Sequence, residues 1–476
     1  HPRKSDVVAG IDLDALKDIP SYHPNQEAVT PGHEPVVRVV QVGEKVTHFK
    51  VGDRLLVQAD WKHLRTAKSN GAFGYNFDGA LEEFVVVDER CVVSPDGEEF
   101  LIHVSEGPSA AAVGLIEPWA TVEGSYAWAE RGHVADGGRL LVVGEGDIDA
   151  LTAEHKPAEV VRVAADAIEG AEGEFDDIVF FGADADAIEK AALLIGTRGT
   201  MCVVLGGEKI SRKVSLDIGR VHYDFIRFCG TTGSDPREGY AWIPANGDLR
   251  ENDRCVFVGA AGPMGVMHTM RAVTSGVPGL SVVGTDLSDE RLANLTKVVG
   301  PTAEKNGVPL DIVNTSSTPL EYGYTYATCL VPVPALVSQA VDLLAEGGIL
   351  NAFAGIPAGT FGDFDLQGII ERRIFMLGTS GSDVSDMRTV LRKIEAGIID
   401  TTISLWAITG MAGFGDAINA VMNRTSGGKI MVFPMMHDLG LTPVSELAEK
   451  LPTVAAKLDA AGLWTKDAEE ALLATR

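Results

Sequence analysis

The sequence predicts an α/β fold in which a β-rich opening segment leads into a doubly wound parallel sheet, with the sheet-forming part present twice. Three observations carry this. Residues 30 to 90 hold short β-branched runs split by turn residues. After about residue 105, strand-like apolar runs alternate with helical ones, the pattern of βαβ units. Two stretches of that alternating region repeat the same anchors in the same order.

The opening runs are Val36 to Val40, Arg54 to Gln58 and Phe84 to Val87, separated by Gly43, Gly52-Asp53 and Asp78-Gly79. An apolar helical stretch follows through Ala110 to Trp128. The first alternating series runs Leu140 to Val143, Val160 to Val163, Ile178 to Phe181 and Met201 to Leu205. The second begins at Cys255 to Val258 and continues through Leu280 to Val283, Ala327 to Val331, Ile349 to Phe353 and Ile374 to Leu377.

Gly230-Thr231-Thr232-Gly233-Ser234-Asp235 recurs as Gly378-Thr379-Ser380-Gly381-Ser382-Asp383. Asp217 and Asp365 each precede the first glycine of their copy by 13 residues. Gly199 to Gly206 and Gly348 to Gly355 both span 7. The tail from Leu441 to Arg476 reads as two amphipathic helices that pack on the body or on a second subunit, which leaves room for a homo-oligomer. The pattern suggests divisions at 1–135, 136–252, 253–400 and 401–476.

Composition narrows the function. The chain has 476 residues and a formal charge of −27, so its surface repels phosphate backbones and anionic lipid. Nucleic acid and membrane are therefore not expected partners. No apolar run has the length of a membrane span, and the start, His1-Pro2-Arg3-Lys4-Ser5-Asp6, shows no signal-peptide pattern. That start lacks Met and reads as a fragment or a trimmed product. Cys91, Cys202, Cys229, Cys255 and Cys329 are far apart with no Cys-x-x-Cys, which suits a reducing cytoplasm.

The second series carries a phosphate loop. Gly259-Ala260-Ala261-Gly262-Pro263-Met264-Gly265 follows the strand ending at Val258 and opens a helical pattern. Glycines there let backbone N–H groups approach a pyrophosphate at a helix N-terminus. Asp286 ends the next strand 21 residues beyond Gly265, where a carboxylate accepts bonds from the ribose hydroxyls of NAD and repels the 2′-phosphate of NADP. Arg291 flanks the adenine or is an ordinary surface helix residue. His268, on the helix after the loop, reaches the ligands or faces solvent. In the first series the corresponding turn, Gly144-Glu145-Gly146-Asp147-Ile148-Asp149, lacks the third glycine and places three carboxylates where a pyrophosphate would lie. That half is expected to be a structural copy, and His222-Tyr223 within it has no assigned role.

Several motifs resemble one family. Pro31-Gly32-His33-Glu34, Val42-Gly43-Glu44-Lys45-Val46, Phe49-Lys50-Val51-Gly52-Asp53-Arg54 and Asp78-Gly79-Ala80-Leu81-Glu82-Glu83-Phe84-Val85 resemble the GroES-like domain of medium-chain, zinc-type alcohol and polyol dehydrogenases. Ile116-Glu117-Pro118, Thr285-Asp286-Leu287-Ser288 with Arg291-Leu292, and Gly428-Lys429-Ile430-Met431-Val432 resemble the sorbitol and threonine dehydrogenase branch. The longer build is similar to L-sorbose 1-phosphate reductase-like members. The resemblance implies a GroES-like β domain plus a Rossmann doubly wound parallel sheet, here with a duplicated Rossmann-like half.

It further implies an NAD(H)-dependent enzyme that interconverts a secondary alcohol and a ketone on a sugar, sugar phosphate or polyol, with zinc polarising the substrate oxygen. On the family pattern, His33, Glu34 and Glu117 form the metal and catalytic set, and Ser5 joins the catalytic set. The cofactor contacts are Gly259, Gly262, Pro263, Met264, Gly265, Asp286, Arg291, Ala354, Gly355, Gly378 and Thr379. The departure is the first metal ligand. The family reads Cys-x-Ser-Asp where this chain offers Arg3-Lys4-Ser5-Asp6; either a guanidinium stands in place of a thiolate, or the match is accidental and the Cys lies upstream of His1. The alternative reading is a zinc-free or catalytically inactive dinucleotide-binding member.

Overall fold

The computed structural model describes residues 19, 21–23, 29–65, 70–423 and 425–476. The chain divides into two compact units, one built from residues 1–123 with 381–476, the other from 124–380. The sequence pattern placed these divisions at 135 and 400. They fall earlier because the helix Val384–Glu395 belongs with the opening segment, where its Lys393 pairs with Glu123 at 2.8 Å.

The first unit is built on antiparallel pairing. Val36–Arg38 pairs with Arg54–Val57, which pairs with Leu101–His103. Leu55, Leu56 and Val57 are buried in succession, so this strand is covered on both faces. The returning segment adds Leu405–Thr409, paired in parallel with Lys429–Val432. The run Phe84 to Val87 is not a strand, and Phe84 and Val86 are 69% and 72% exposed. High β-propensity alone does not make a strand without a neighbour to pair with. The tail forms the short helices Leu447–Lys450 and Pro452–Ala455 and the longer Lys466–Leu473, rather than two long ones. Its Glu469 carboxylate accepts the backbone N–H groups of Ala110 and Ala111 at 2.6 and 2.9 Å, capping the helix Ala110–Gly114.

The second unit holds both parallel sheets. The six-stranded sheet runs Leu310–Asn314, Ser281–Asp286, Arg254–Val258, Tyr324–Cys329, Leu344–Ala352, Phe375–Leu377. Numbered along the chain, that order is 3-2-1-4-5-6, the doubly wound dinucleotide-binding arrangement. The five-stranded sheet runs Arg227–Thr231, Ile195–Val204, Phe175–Phe181, Arg139–Val143, Glu159–Val163. It is the same order read from the other end, with the third strand missing. The duplication read from the sequence is thus a duplication of fold.

The copies meet about a local pseudo-two-fold axis. Strand Val214–Asp217 pairs antiparallel with Phe361–Phe364, and Ser215 stands opposite Asp363. With copies 148 residues apart, Asp363 is the counterpart of Ser215, so the axis passes between them. The glycines repeat the relation. A Cβ on Gly230 would lie 2.9 Å from Ile370, and one on its counterpart Gly378 would lie 2.8 Å from His222, the counterpart of Ile370. Asp217 and Asp365, also counterparts, each cap the N-terminus of the helix that follows. All five cysteines are buried free thiols. No helix of the described residues is long and apolar enough to cross a membrane.

Candidate functional site

In the first unit, His33 is set by a knot of three glycines. Gly32 adopts φ +108°, and a Cβ there would lie 2.9 Å from the Leu81 backbone nitrogen. A Cβ on Gly79 would lie 2.6 Å from the Gly32 carbonyl oxygen and 2.7 Å from Gly74. Backbone bonds lock the crossing: Ala80 donates to the Gly32 carbonyl at 3.0 Å, and Leu81 to the Pro31 carbonyl at 3.0 Å. Only residues without side chains let the two segments approach this closely. His33 and Tyr75, each next to one of these glycines, lie side by side, with the Tyr75 hydroxyl 3.5 Å from His33 Nε2.

Glu34 follows on the same loop, and Glu117 lies in the first turn of the helix Ile116–Ala127. One ligand atom from each of His33, Glu34 and Glu117 lies within 4.8 Å of the others. Lys429, at the start of its strand, donates to both Glu34 oxygens at 2.8 and 3.0 Å. Burial would raise the Glu34 pKa, but the attraction and hydrogen bond of Lys429 outweigh it and hold the carboxylate ionised. Glu117 has no such partner to itself. Burial, reinforced by the Glu34 charge, pushes its carboxyl up to about 8. Burial also lowers the His33 pKa, which favours the neutral imidazole with a lone pair to give. Ser5 lies outside the described residues, as does Arg3.

Lys429 and Tyr75 had no assigned role in the sequence reading. Lys429 was within reach of inference, because two buried carboxylates require a nearby positive charge and Gly428-Lys429 lies in a family-like strand. Tyr75 carried no signal.

In the second unit the glycine loop has the geometry its spacing implies. Gly259 adopts φ +85°, and a Cβ there would lie 2.5 Å from Val331. Gly262 is the N-cap of the helix Pro263–Thr274, with Pro263 in its first turn, and a side chain on Gly265 would run into the Ala260 backbone. The loop is tied to the next strand by bonds from Gly259 and Ala260 N–H to the Thr285 carbonyl, at 3.0 and 2.8 Å. Asp286 ends that strand, accepts the N–H groups of Leu287 and Ser288, and forms an ion pair with Arg291. Ala354 N–H bonds to the Cys329 carbonyl at 3.0 Å, and the Tyr223 hydroxyl lies over Gly355.

Other expected residues are placed differently. Gly378 and Thr379 are buried, and a Cβ on Gly378 would lie 2.8 Å from the His222 Cα. His268 is fully buried rather than at the surface, its Nδ1 2.8 Å from the Tyr126 hydroxyl, because nearly the whole helix Pro263–Thr274 is enclosed. His222, given no role, bonds the Ala352 carbonyl at 3.2 Å and so supports the strand end that leads to Ala354. In the first copy, Phe181 lies where any side chain on Gly146 would go, which fills the space beside that turn.

Comparison with known proteins agrees with this architecture. Residues 6–96 match the alcohol dehydrogenase GroES-like domain. The chain is also 29% identical over 247 residues to mannitol-1-phosphate 5-dehydrogenase of Aliivibrio fischeri, covering 47% of this chain and 57% of that protein. It is 26% identical over 233 residues to L-sorbose 1-phosphate reductase of Klebsiella pneumoniae, covering 48% of this chain and 56% of that one. The opening segment thus carries an alcohol dehydrogenase GroES-like domain, and about half of the chain is similar to sugar-phosphate dehydrogenases and reductases. The crystal structure of 2R,3R-butanediol dehydrogenase from Bacillus subtilis has a similar fold, at TM-score 0.51 and 17% identity, covering 90% of this chain and 86% of that one. The matches span little more than half the length of these curated relatives, 57% and 56%.

Proposed function

We propose that the chain is an NAD(H)-dependent oxidoreductase that interconverts a secondary alcohol and a ketone on a sugar, sugar phosphate or polyol. The observation that carries this reading is the grouping of His33, Glu34 and Glu117 within 4.8 Å, in a chain that also holds a glycine loop with Asp286 at the end of the next strand. The polyol and sugar-phosphate substrate class is suggested by the names of the two relatives.

The donor set fits a divalent cation of borderline character. It offers one neutral imidazole, the Glu34 carboxylate anchored by Lys429, and the Glu117 carboxyl, which would give up its proton to a bound ion. His33 and Glu117 would hold zinc, with Glu34 alongside. When bound, zinc supplies polarisation of the substrate oxygen and a lowered alcohol pKa. Lys429 orients Glu34 and keeps it ionised, and the glycine knot fixes the direction of His33. In the other unit, Gly259, Gly262, Pro263, Met264 and Gly265 would hold the pyrophosphate, Asp286 the ribose, and Ala354 with Gly355 the nicotinamide end.

A second reading, a zinc-free member, is favoured by the Lys429 ammonium, which already supplies positive charge to Glu34. The test combines zinc analysis of the purified protein with NADH absorbance assays on a panel of polyols, sugar phosphates and matching ketones. Zinc at the His33 site with turnover supports the first reading. Turnover without zinc supports the second, and neither zinc nor turnover overturns both.

A further inference from the structure

A second cluster of metal-ligating side chains lies outside this machinery, in the copy that lacks the glycine loop. His133 and His155 stack with ring centroids 3.6 Å apart and planes 13° from parallel. Asp136 Oδ2 lies 2.8 Å from His155 Nδ1. One ligand atom from each of the three lies within 4.8 Å of the others.

The cluster sits on rigid backbone. The buried Asp177 carboxylate accepts bonds from Arg131, the Ala135 N–H and the Tyr240 hydroxyl, at 2.9, 2.7 and 2.8 Å. Those bonds bracket His133 and fix the segment that carries it. Asp136 Oδ1 accepts the Lys156 N–H at 2.9 Å, and Gly137 N–H donates to the Lys156 carbonyl at 2.8 Å, so the His155 turn is tied to the same segment. His133 Nδ1 lies 2.9 Å from the Val134 carbonyl. A ring N–H donated there leaves Nε2 with its lone pair, the orientation that backbone carbonyls commonly impose on metal-binding histidines.

We propose that His133, Asp136 and His155 form a metal site for a divalent cation of the zinc, nickel or copper class, separate from the His33 group. Two imidazole nitrogens and one carboxylate suit these borderline ions, whereas calcium and magnesium take oxygen sets. Donors bound to one tetrahedral ion lie about 3.3 Å apart for metal–nitrogen bonds near 2.0–2.1 Å. Because the rings stack nearly parallel, binding requires one imidazole to turn until both in-plane lone pairs face the ion, while the backbones that carry them are already held together. Asp136 is exposed, which leaves coordination positions open to water. A bound ion would cross-link the segment 131–137 to the turn 152–156 and stabilise this copy by mass action.

The test is zinc titration of the metal-stripped full chain by calorimetry, run alongside a His133→Gln/His155→Gln double variant and a His33→Ala variant. The proposal expects one zinc equivalent to vanish in the double variant and to persist in His33→Ala. It also expects copper(II) bound to His33→Ala to show two nitrogen couplings in its resonance spectrum. Asp136→Asn, which keeps both imidazoles and the fold, should weaken this equivalent by about 10-fold or more. Equal stoichiometry in the wild type and the double variant overturns the proposal. So does uptake at this site only at millimolar zinc, or unchanged affinity in Asp136→Asn should the double variant fail to fold.

Discussion

Lys429 donates to both carboxylate oxygens of Glu34, linking the strand near the end of the first unit to the loop near its beginning. The pair is half-buried, and removing one partner leaves the other charge without compensation. Lys429→Met should therefore destabilise the protein by about 1–3 kcal/mol. Lys429→Arg should recover most of that loss. Denaturant midpoints at neutral pH measure both, and an unchanged midpoint for Lys429→Met would show that the pair is dispensable.

Gly32→Ala asks an L-residue to adopt φ +108° with its Cβ against the Leu81 backbone. The expected cost is about 1–3 kcal/mol. Because the knot aims His33, kcat/KM should fall further than the loss of folded protein explains. Parallel measurement of thermal midpoint and turnover separates the two effects.

Asp286 accepts neighbouring backbone N–H groups and holds Arg291 in an ion pair. NAD(H) should bind more tightly than NADP(H). Asp286→Ser removes the carboxylate that repels a 2′-phosphate and releases Arg291 to meet one, so the preference should shift toward NADP(H) by about 10–100-fold. Titration with both nucleotides checks this, and tighter NADPH binding by the wild type would sink the assignment.

One nucleotide should bind per chain. The turn from Gly144 to Asp149 carries Glu145, Asp147 and Asp149, and Phe181 fills the space beside Gly146. Calorimetry with NADH should give a stoichiometry near one, and a value near two would show that the first copy binds as well.

The last expectation concerns pH. Burial, opposed by Lys62 and reinforced by Glu123, raises the Asp386 carboxyl to about 6. The folded state thus keeps a proton that the unfolded chain releases above about pH 4. This group's contribution to stability is complete below that pH, declines as pH rises toward 6, and is flat beyond. Asp386→Asn keeps an oxygen to accept the Asp383 N–H in the capping box. Its stability should therefore fall less than that of the wild type between pH 4 and 6, as read from denaturation curves at stepped pH.

The readability of the chain followed the range of the physics involved. Gly259 to Gly265 and Asp286 are legible because backbone sterics and strand ends act over a few residues. The duplication is legible because Asp217 and Asp365 cap helices in the same local frame. The Lys429–Glu34 pair spans 395 residues, so only the family-like strand that carries Lys429 hints at it. The burial of His268 was misjudged for a related reason: a helix enclosed on all sides shows no polar face to read. Phe84 to Val87 failed differently, since its composition suits a strand but none of the described residues pairs with it as one.

The pairing of Ser215 with Asp363 has an evolutionary consequence. Where two identical chains meet about a two-fold axis, each substitution is felt twice, once on either side, and both copies must tolerate it. With both copies covalently joined, one can be altered while the other is kept. The first copy could gain carboxylates in its turn and lose a strand without the second following, provided the seam still closed. The counterpart positions Gly230 and Gly378 mark that seam and have kept the same residue, while the turns away from it have diverged. Joining the copies lets the turns of one diverge while its fit against the other is kept.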